Sequence, residues 1–148
     1  MDFNHYRFVS MWDLPAAPRA VYAHLERIEQ YPRWWPQVRE VTPVDGAAGT
    51  VRIRSFLPYD LVMTLRERRR DVPGGVLEVS LSGDLEGWAR WTVLPYGSGT
   101  RATYEQEVVV RRALMRVLAV PARPVFRANH ALMMRAGRRG LAARLEAV

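Results

Sequence analysis

The chemistry that this sequence could support centres on one histidine, His130. Apolar residues recur at three- and four-residue spacing through residues 125–145, and His130 falls on that stripe. The stripe predicts a helix face turned toward the core. An imidazole there could hydrogen-bond a ligand or act as a general acid or base, because its unperturbed pKa is close to neutrality. The alternative is a packed histidine that is satisfied by Asn129 or by a group on a strand.

Two polar residues, Tyr104 and Gln106, share a predicted strand face with Ala102 and Val108. A buried glutamine amide needs hydrogen-bond partners. Gln106 is therefore expected either to contact the polar end of a ligand or to bond to its own neighbours or to water. Ser55 is a weaker case of the same kind, on another apolar strand face.

Large and flexible side chains fall on the same inward faces. Methionines at strand and helix spacing could line an adaptable pocket or belong to an ordinary core. Small and polar residues interrupt these apolar faces, where a solid core would favour Leu or Phe. We therefore predict a cavity, and as its ligand-binding residues Ser55, Met63, Trp91, Tyr104, Gln106, Phe126, His130, Met133 and Met134.

Other candidates have a structural alternative of their own. Trp34 and Trp35 could wall the mouth of a pocket or fix a short helix to the sheet, and Trp88 has the outward parity. Arg69 has nominal inward parity and could bind a carboxylate bidentately, or it lies with Arg68 and Arg70 at a solvated strand end.

Several site classes have no support in the sequence. There is no cysteine, and three scattered histidines lack acidic partners at ligand spacing, so we expect no metal. No cofactor is implied. No nucleophile elbow, phosphate-binding loop or catalytic triad pattern is present, and the strand pattern places no two carboxylates on the inner face.

The basic residues are all arginine and are unevenly distributed. Residues 1–100 carry 12 Arg and 12 acidic residues, whereas residues 111–148 carry nine Arg and one acid, Glu146. Such a segment could meet nucleic acid, an anionic membrane or an acidic ligand. From residue 111 onward only Phe126 is aromatic, which argues against nucleic acid. The apolar segment Ala113–Val120, flanked by arginines and followed by Pro121, could contact a membrane peripherally, contact a dimer partner, or form a lid over the sheet.

Length and composition favour one folded domain over residues 1–148, with 49% hydrophobic and 25% charged residues. No apolar run reaches the roughly 20 residues of a membrane-spanning helix. The N-terminus lacks the pattern of a signal peptide, and the absence of cysteine fits a cytoplasmic protein. The chain is expected to be a monomer or a homodimer.

The elements that position these residues follow from periodicity. A strand is predicted over 6–14, then a helix that begins at Pro18 and ends at Tyr31-Pro32, then a short helix or turn. Between residues 37 and 110, turn signals separate about six alternating strands, which predicts an antiparallel sheet with one covered face. The helix over 125–145, roughly 30 Å long, would cover that face.

The order of these elements and several short motifs resemble the helix-grip superfamily (SRPBCC), which includes START lipid-binding domains and polyketide cyclase/dehydrase-type proteins. The motifs are residues 14–22 (LPAAPRAVY), 31–36 (YPRWWP), 83–87 (GDLEG), 91–95 (WTVLP), 99–104 (GTRATY), 129–130 (NH) and 134–137 (MRAG). The resemblance covers nearly the whole chain. It implies an α+β helix-grip fold, in which a curved antiparallel sheet of about seven strands wraps around the long C-terminal helix.

Three functions remain open at this point. The first is binding of a small hydrophobic or amphipathic molecule, such as a polyketide, aromatic metabolite, isoprenoid or lipid, between sheet and helix. The second is a polyketide cyclase/dehydrase-type enzyme that uses the same cavity. The third is a peripheral membrane or partner-binding protein that acts through the basic C-terminal segment.

Overall fold

The protein is described by a computed structural model with one antiparallel sheet, two short helices and one long helix. It describes residues 5–54, 60–110 and 113–146, and for residues 113–122 it describes the backbone alone. The strands are β1 (His5–Leu14), β2 (Val38–Asp45), β3 (Ala48–Ile53), β4 (Leu61–Asp71), β5 (Val76–Gly83), β6 (Leu85–Tyr96) and β7 (Gly99–Val110). The helices are α1 (Pro18–Leu25), a 3-10 helix (Ile28–Arg33) and α2 (Ala113–Glu146).

The sheet order is β1-β7-β6-β5-β4-β3-β2, and every neighbouring pair is antiparallel. β1 is the exception to a simple meander, since it pairs with the last strand. The predicted helix-grip architecture is confirmed: seven strands, short helices after β1, and α2 against one face.

The first helix ends earlier than the sequence predicted. Pro18 occupies its first turn, where a missing N–H is tolerated. However, α1 stops at Leu25 instead of including Ile28, which begins the 3-10 helix. The Tyr31 hydroxyl donates to the Leu25 carbonyl at 2.5 Å and so satisfies a group that another helical turn would have used.

Helix α2 is longer than predicted because it does not break at its prolines. We expected Pro121 and Pro124 to separate Ala113–Val120 from the long helix, but the backbone remains helical from Ala113 to Glu146. Each proline removes one hydrogen bond of the helical ladder, and here the ladder continues on both sides. The side chains of Ala113–Val120 lie outside the described residues.

The buried side chains form two clusters. The first, here called the aromatic cluster, is built around Tyr31 and four tryptophans: Trp12, Trp34, Trp35 and Trp91. The second, here called the cavity cluster, consists of Tyr6, Met63, Leu81, Ala89, Val108, Val110 and Phe126. Leu65 and Tyr104 pack against both clusters and join them.

The described helices include none that is long and apolar enough to cross a membrane.

Candidate functional site

A cavity of about 160 Å³ lies between α2 and the sheet. Its walls come from all seven strands, from the 3-10 helix and from one face of α2. The lining residues are Tyr6, Phe8, Ile28, Tyr31, Trp35, Val38, Val51, Ile53, Leu61, Met63, Leu65, Leu77, Val79, Leu81, Leu85, Ala89, Trp91, Tyr104, Gln106, Val108, Val110, Phe126, Asn129, His130 and Met133. Among these described residues none is Asp, Glu, Arg or Lys, so the wall is mainly apolar.

The polar groups of the wall include a short hydrogen-bonded chain from β7 to α2. The Tyr104 hydroxyl donates to Gln106 Oε1 at 2.5 Å, and His130 Nε2 lies 3.4 Å from the same oxygen. Tyr104 and Gln106 are two residues apart on one strand, so both point to the same side of the sheet. The Gln106 oxygen therefore has partners within the protein, and contact of Gln106 with a ligand remains a prediction.

His130 lies in an apolar and aromatic setting. Its ring stacks on Phe8 with centroids 3.8 Å apart and planes 10° from parallel. Burial lowers the pKa of His130 to about 4, because a charged imidazolium would lose its hydration there. The ring is therefore neutral at pH 7, and with hydrogen on Nε2 it donates to Gln106.

The tyrosines of the wall also remain uncharged. Burial raises the pKa of both Tyr31 and Tyr104 far above the ordinary tyrosine value. Each hydroxyl therefore keeps its proton and acts as a donor, to the Leu25 carbonyl and to Gln106 respectively.

Asn129 was not predicted as a site residue, although it was considered as a partner for His130. It lines the cavity, and its Oδ1 is buried without a hydrogen-bond partner within the described part of the chain. The sequence contained a signal for it. The inward face of a helix spans 100° or more, and at 100° per residue Asn129 lies about 40° beyond Met133, at the edge of that face.

The aromatic cluster closes one end of the space between helix and sheet. Trp35 Nε1 donates to the Met133 carbonyl at 2.9 Å, which ties the 3-10 segment to α2. A Cβ at Gly137 would lie 2.5 Å from the Trp35 ring, and one at Gly140 would overlap the Trp34 carbonyl oxygen. These two glycines allow α2 to approach the tryptophans closely. Of the two alternatives, Trp34 and Trp35 thus fix the short helix to the core, and Trp35 also touches the cavity.

Seven of the nine predicted ligand-binding residues lie around this cavity. They are Met63, Trp91, Tyr104, Gln106, Phe126, His130 and Met133. Ser55 lies outside the described residues. Ligand contact by these residues remains a prediction.

Met134 is not at the predicted place in the cavity wall. It is 3% exposed and belongs to the aromatic cluster. Successive helical residues are about 100° apart, so the cavity receives Met133 and the aromatic cluster receives Met134.

Two candidate residues from the sequence, Trp88 and Arg69, lie outside the cavity. Trp88 lies on the opposite face of the sheet, with the Arg90 guanidinium 4.7 Å from its ring centre. Arg69 does not point inward, because the register shifts between Glu67 and Arg69, and its guanidinium lies 3.4 Å from Asp71 at the exposed strand end.

The outward face of α2 is basic with exposed apolar residues. Val125 and Leu132 are 41% and 49% exposed, and Arg135 and Arg139 lie on the same exposed side of the helix. Arg127 is also exposed, but its guanidinium lies 5.7 Å from the Tyr6 ring centre, on another side of the helix. Over the described residues, none of these three arginines forms an ion pair with a carboxylate.

Several solved structures have the same fold as this chain. The Zhui aromatase/cyclase from Streptomyces sp. R1128 superposes with a TM-score of 0.80 at 13% identity, covering 96% of this chain and 94% of that one. A START superfamily protein from Mycobacterium smegmatis gives 0.73 at 14% identity, covering 95% and 97%. A protein from Thermus thermophilus gives 0.71 at 17% identity, covering 95% and 98%. Identities this low establish the fold alone.

Sequence comparison supplies the family. No curated protein matches the chain significantly. The sequence profile of the family described as polyketide cyclase/dehydrase and lipid transport matches residues 14–136, which is most of the chain. Together with the helix-grip architecture, this match shows that the chain belongs to the polyketide cyclase/dehydrase and lipid transport family.

Proposed function

We propose that this protein binds a small, mainly apolar molecule in the cavity between α2 and the sheet. The observation that carries the proposal is the hollow itself, lined by apolar side chains with a few grouped polar atoms. Ligand sites typically combine such walls with a small number of polar groups that orient the ligand. A filled core of Leu and Phe would have left no such space.

The cavity volume sets a scale for the ligand. An engineered apolar cavity of about 150 Å³ in another protein stays dry and binds benzene. The cavity here, about 160 Å³, is of the same order. In the described conformation it therefore suits a single ring or a short branched chain, and a larger polyketide or lipid would require α2 to move outward.

Filling the cavity tests this function directly. We expect Ala89→Phe, which places a ring inside the cavity, to abolish binding of a probe such as toluene in a calorimetric or NMR titration. The matched control is Ala143→Phe on the exposed surface of α2, which should bind as the parent does. Val108→Phe provides a second filling variant should the first fold poorly. Unchanged binding by a folded filling variant would contradict the proposal. Mass spectrometry of molecules released from the purified protein would identify the natural occupant.

The neutral imidazole of His130 favours a second candidate, a cyclase/dehydrase-type enzyme. His130 lines the cavity, is neutral at pH 7, and contacts Gln106 Oε1 through Nε2. A base within reach of a bound substrate could move a proton in such a reaction. Turnover of a polyketide-like substrate that is lost in His130→Gln, with binding retained, would support the enzyme over the carrier.

The exposed face of α2 favours a third candidate, peripheral contact with an anionic membrane. Val125 and Leu132 could enter the interface while Arg135 and Arg139 meet lipid headgroups, each arginine contributing on the order of 1 kcal/mol. Sedimentation with anionic vesicles at low and high salt tests this, with Leu132→Glu as the loss variant. Equal binding to neutral vesicles, or none at low salt, would exclude it.

A further inference from the structure

The sheet has two edge strands, β1 and β2, and only one of them is built to resist pairing with another strand. β2 carries Pro43, which cannot donate a backbone hydrogen bond, and its register against β3 shifts beside Pro43 and again beside Val38. Natural sheets use such features to keep an edge unpaired. β1 contains no proline, and its register against β7 is unbroken from His5 to Leu14. β1 is therefore the edge that can accept a further strand.

The β6–β7 hairpin shows which backbone groups of β1 face the open edge. Tyr96 pairs with Gly99 across a two-residue turn, and in such a hairpin the flanking pair is hydrogen-bonded. Because successive residues of a strand point their N–H and C=O groups to opposite sides, Thr100 bonds to β1, where it lies opposite Leu14. Alternate residues of β1, counted back from Leu14, therefore bond to β7. The residues between them, whose backbone groups face the open edge, include Arg7, Val9, Met11 and Asp13.

The side chains of these residues are self-complementary about Ser10. If a second copy of β1 lies antiparallel with the two Ser10 residues opposite each other, Arg7 faces Asp13 of the second copy. In the same register, Val9 faces Met11 of the second copy. The side chains of Arg7 and Asp13 are 51% and 54% exposed, and Val9 and Met11 are 55% and 59% exposed. Opposite charges and apolar residues that face each other across two strands stabilise the pair.

Neighbouring registers lose this match. A shift by one residue would place backbone groups that face the open edge opposite groups that face β7. A shift by two residues would place Arg7 opposite Met11 in one direction and Val9 opposite Asp13 in the other. The register centred on Ser10 is thus the one in which charge meets charge and apolar meets apolar.

This register also leaves the existing contacts of β1 in place. The His5 carbonyl accepts a hydrogen bond from Arg123 of α2 at 3.0 Å, and His5 lies beyond the paired span. Asp13 and Arg7 each bond to a charged side chain of β7, at 2.8 and 3.3 Å. A carboxylate accepts, and a guanidinium donates, more than one hydrogen bond, so both can take a second partner.

We infer that the protein forms a symmetric dimer in which the β1 strands of two copies pair antiparallel about Ser10, so that one sheet runs through both copies. The inference is independent of the proposed ligand binding. An interface made mainly of one strand from each copy is small, so the dimer is reversible, with a dissociation constant on the order of 10–100 μM.

Sedimentation velocity of the full chain tests the dimer over a concentration series from about 5 to 500 μM, which brackets that value. We expect the parent to shift from monomer to dimer. Val9→Lys adds to β1 the residue that natural edges use against pairing, and it should weaken association at least tenfold. The matched control is Val44→Lys on β2, at a position 56% exposed, which should associate as the parent does. Met11→Lys provides a second variant on β1 should the first fold poorly.

A parent that stays monomeric throughout this series would overturn the inference. A parent dimer that both folded β1 variants leave intact would place the interface elsewhere and would also overturn it, as would equal losses in Val9→Lys and Val44→Lys.

A single cysteine tests the register, since the chain contains none of its own. Two Ser10 residues opposite each other form a pair without backbone hydrogen bonds, with Cα atoms about 4.5 Å apart, which a disulfide can span. Ser10→Cys should therefore give a covalent dimer on mild oxidation, and Val44→Cys on the other edge should not. Absence of the crosslink in Ser10→Cys, or equal crosslinking rates for the two variants, would overturn the pairing about Ser10.

Discussion

The two ends of the space between α2 and the sheet are filled in different ways. In the aromatic cluster, Trp12 contacts Trp35 and Trp91 at ring-centre distances of 5.3 and 4.8 Å, and glycines bring the helix close. At the other end, beside the cavity cluster, the same helix presents Phe126 and His130, and a void remains.

The difference shows how one fold combines stability with a binding site. Edge-to-face rings contribute about 0.5–1.5 kcal/mol per pair beyond the area that they bury, so the aromatic cluster is the stronger anchor. With that end fixed, the other end can remain hollow without loss of the fold. We therefore expect substitutions in the two regions to have different effects.

The largest effect is expected at the close approach of α2. Gly140→Ala would place a methyl group against the Trp34 backbone carbonyl, which cannot rotate away. We expect a loss of about 3 kcal/mol or more in the free energy of unfolding, since overpacking outweighs the helix propensity that alanine adds. Chemical denaturation measures this. Gly46→Ala is the control, because a Cβ there meets nothing within 4 Å. Equal stability of the two variants would contradict the tight packing.

The next largest effect is a pH dependence of stability that arises from His130 in the cavity wall. The pKa of His130 is lowered to about 4 in the folded protein, against about 6.5 when unfolded. The unfolded chain therefore binds more protons between these values, so stability is full above pH 6.5 and falls as the pH is lowered toward 4. Between pH 7 and pH 5 we expect a loss of about 2 kcal/mol.

His130→Gln separates this contribution from the titration of carboxyl groups. Denaturation midpoints at several pH values should show a steeper fall for the parent than for the variant. Parallel curves would show that His130 is not buried in its neutral form.

A smaller effect is expected at Trp35. Trp35→Phe removes the hydrogen bond to the Met133 carbonyl and part of the ring, for an expected loss of about 1–2 kcal/mol. Trp88→Phe on the outer face is the matched control, with a loss below about 1 kcal/mol from its contact with Arg90. The reverse order in thermal or chemical denaturation would contradict the assignment of Trp35 to the anchoring end.

The sequence predicted the sheet better than the helix. Strand alternation correctly placed Trp91, Tyr104 and Gln106 on the covered face, because a period of two leaves little freedom. Helical spacing is less decisive, since several neighbouring positions share one broad face. For this reason Asn129 was missed as a site residue and Met134 was assigned to the wrong region.

The other features that the sequence did not predict depend on contacts between residues far apart in the chain, which a periodic pattern does not show. The end of α1 depends on the bond from Tyr31 to Leu25, which only the folded chain provides. The void itself depends on how far α2 stands from the sheet, whereas Gly137 and Gly140 let the opposite end of α2 approach the tryptophans closely. The residue types indicated a cavity. Its volume could not be predicted from them, because it depends on how α2 packs against the sheet at both ends.

The most direct test of this account adds the same group at each end of the sheet. Ala102 is 0% exposed beside the aromatic cluster, and Ala89 lines the cavity. We predict that Ala102→Leu lowers the free energy of unfolding by about 1–3 kcal/mol, whereas Ala89→Leu leaves it unchanged or raises it by about 0.5–2 kcal/mol. Equal destabilisation by the two substitutions in chemical denaturation would contradict the claim that one end is solid and the other hollow.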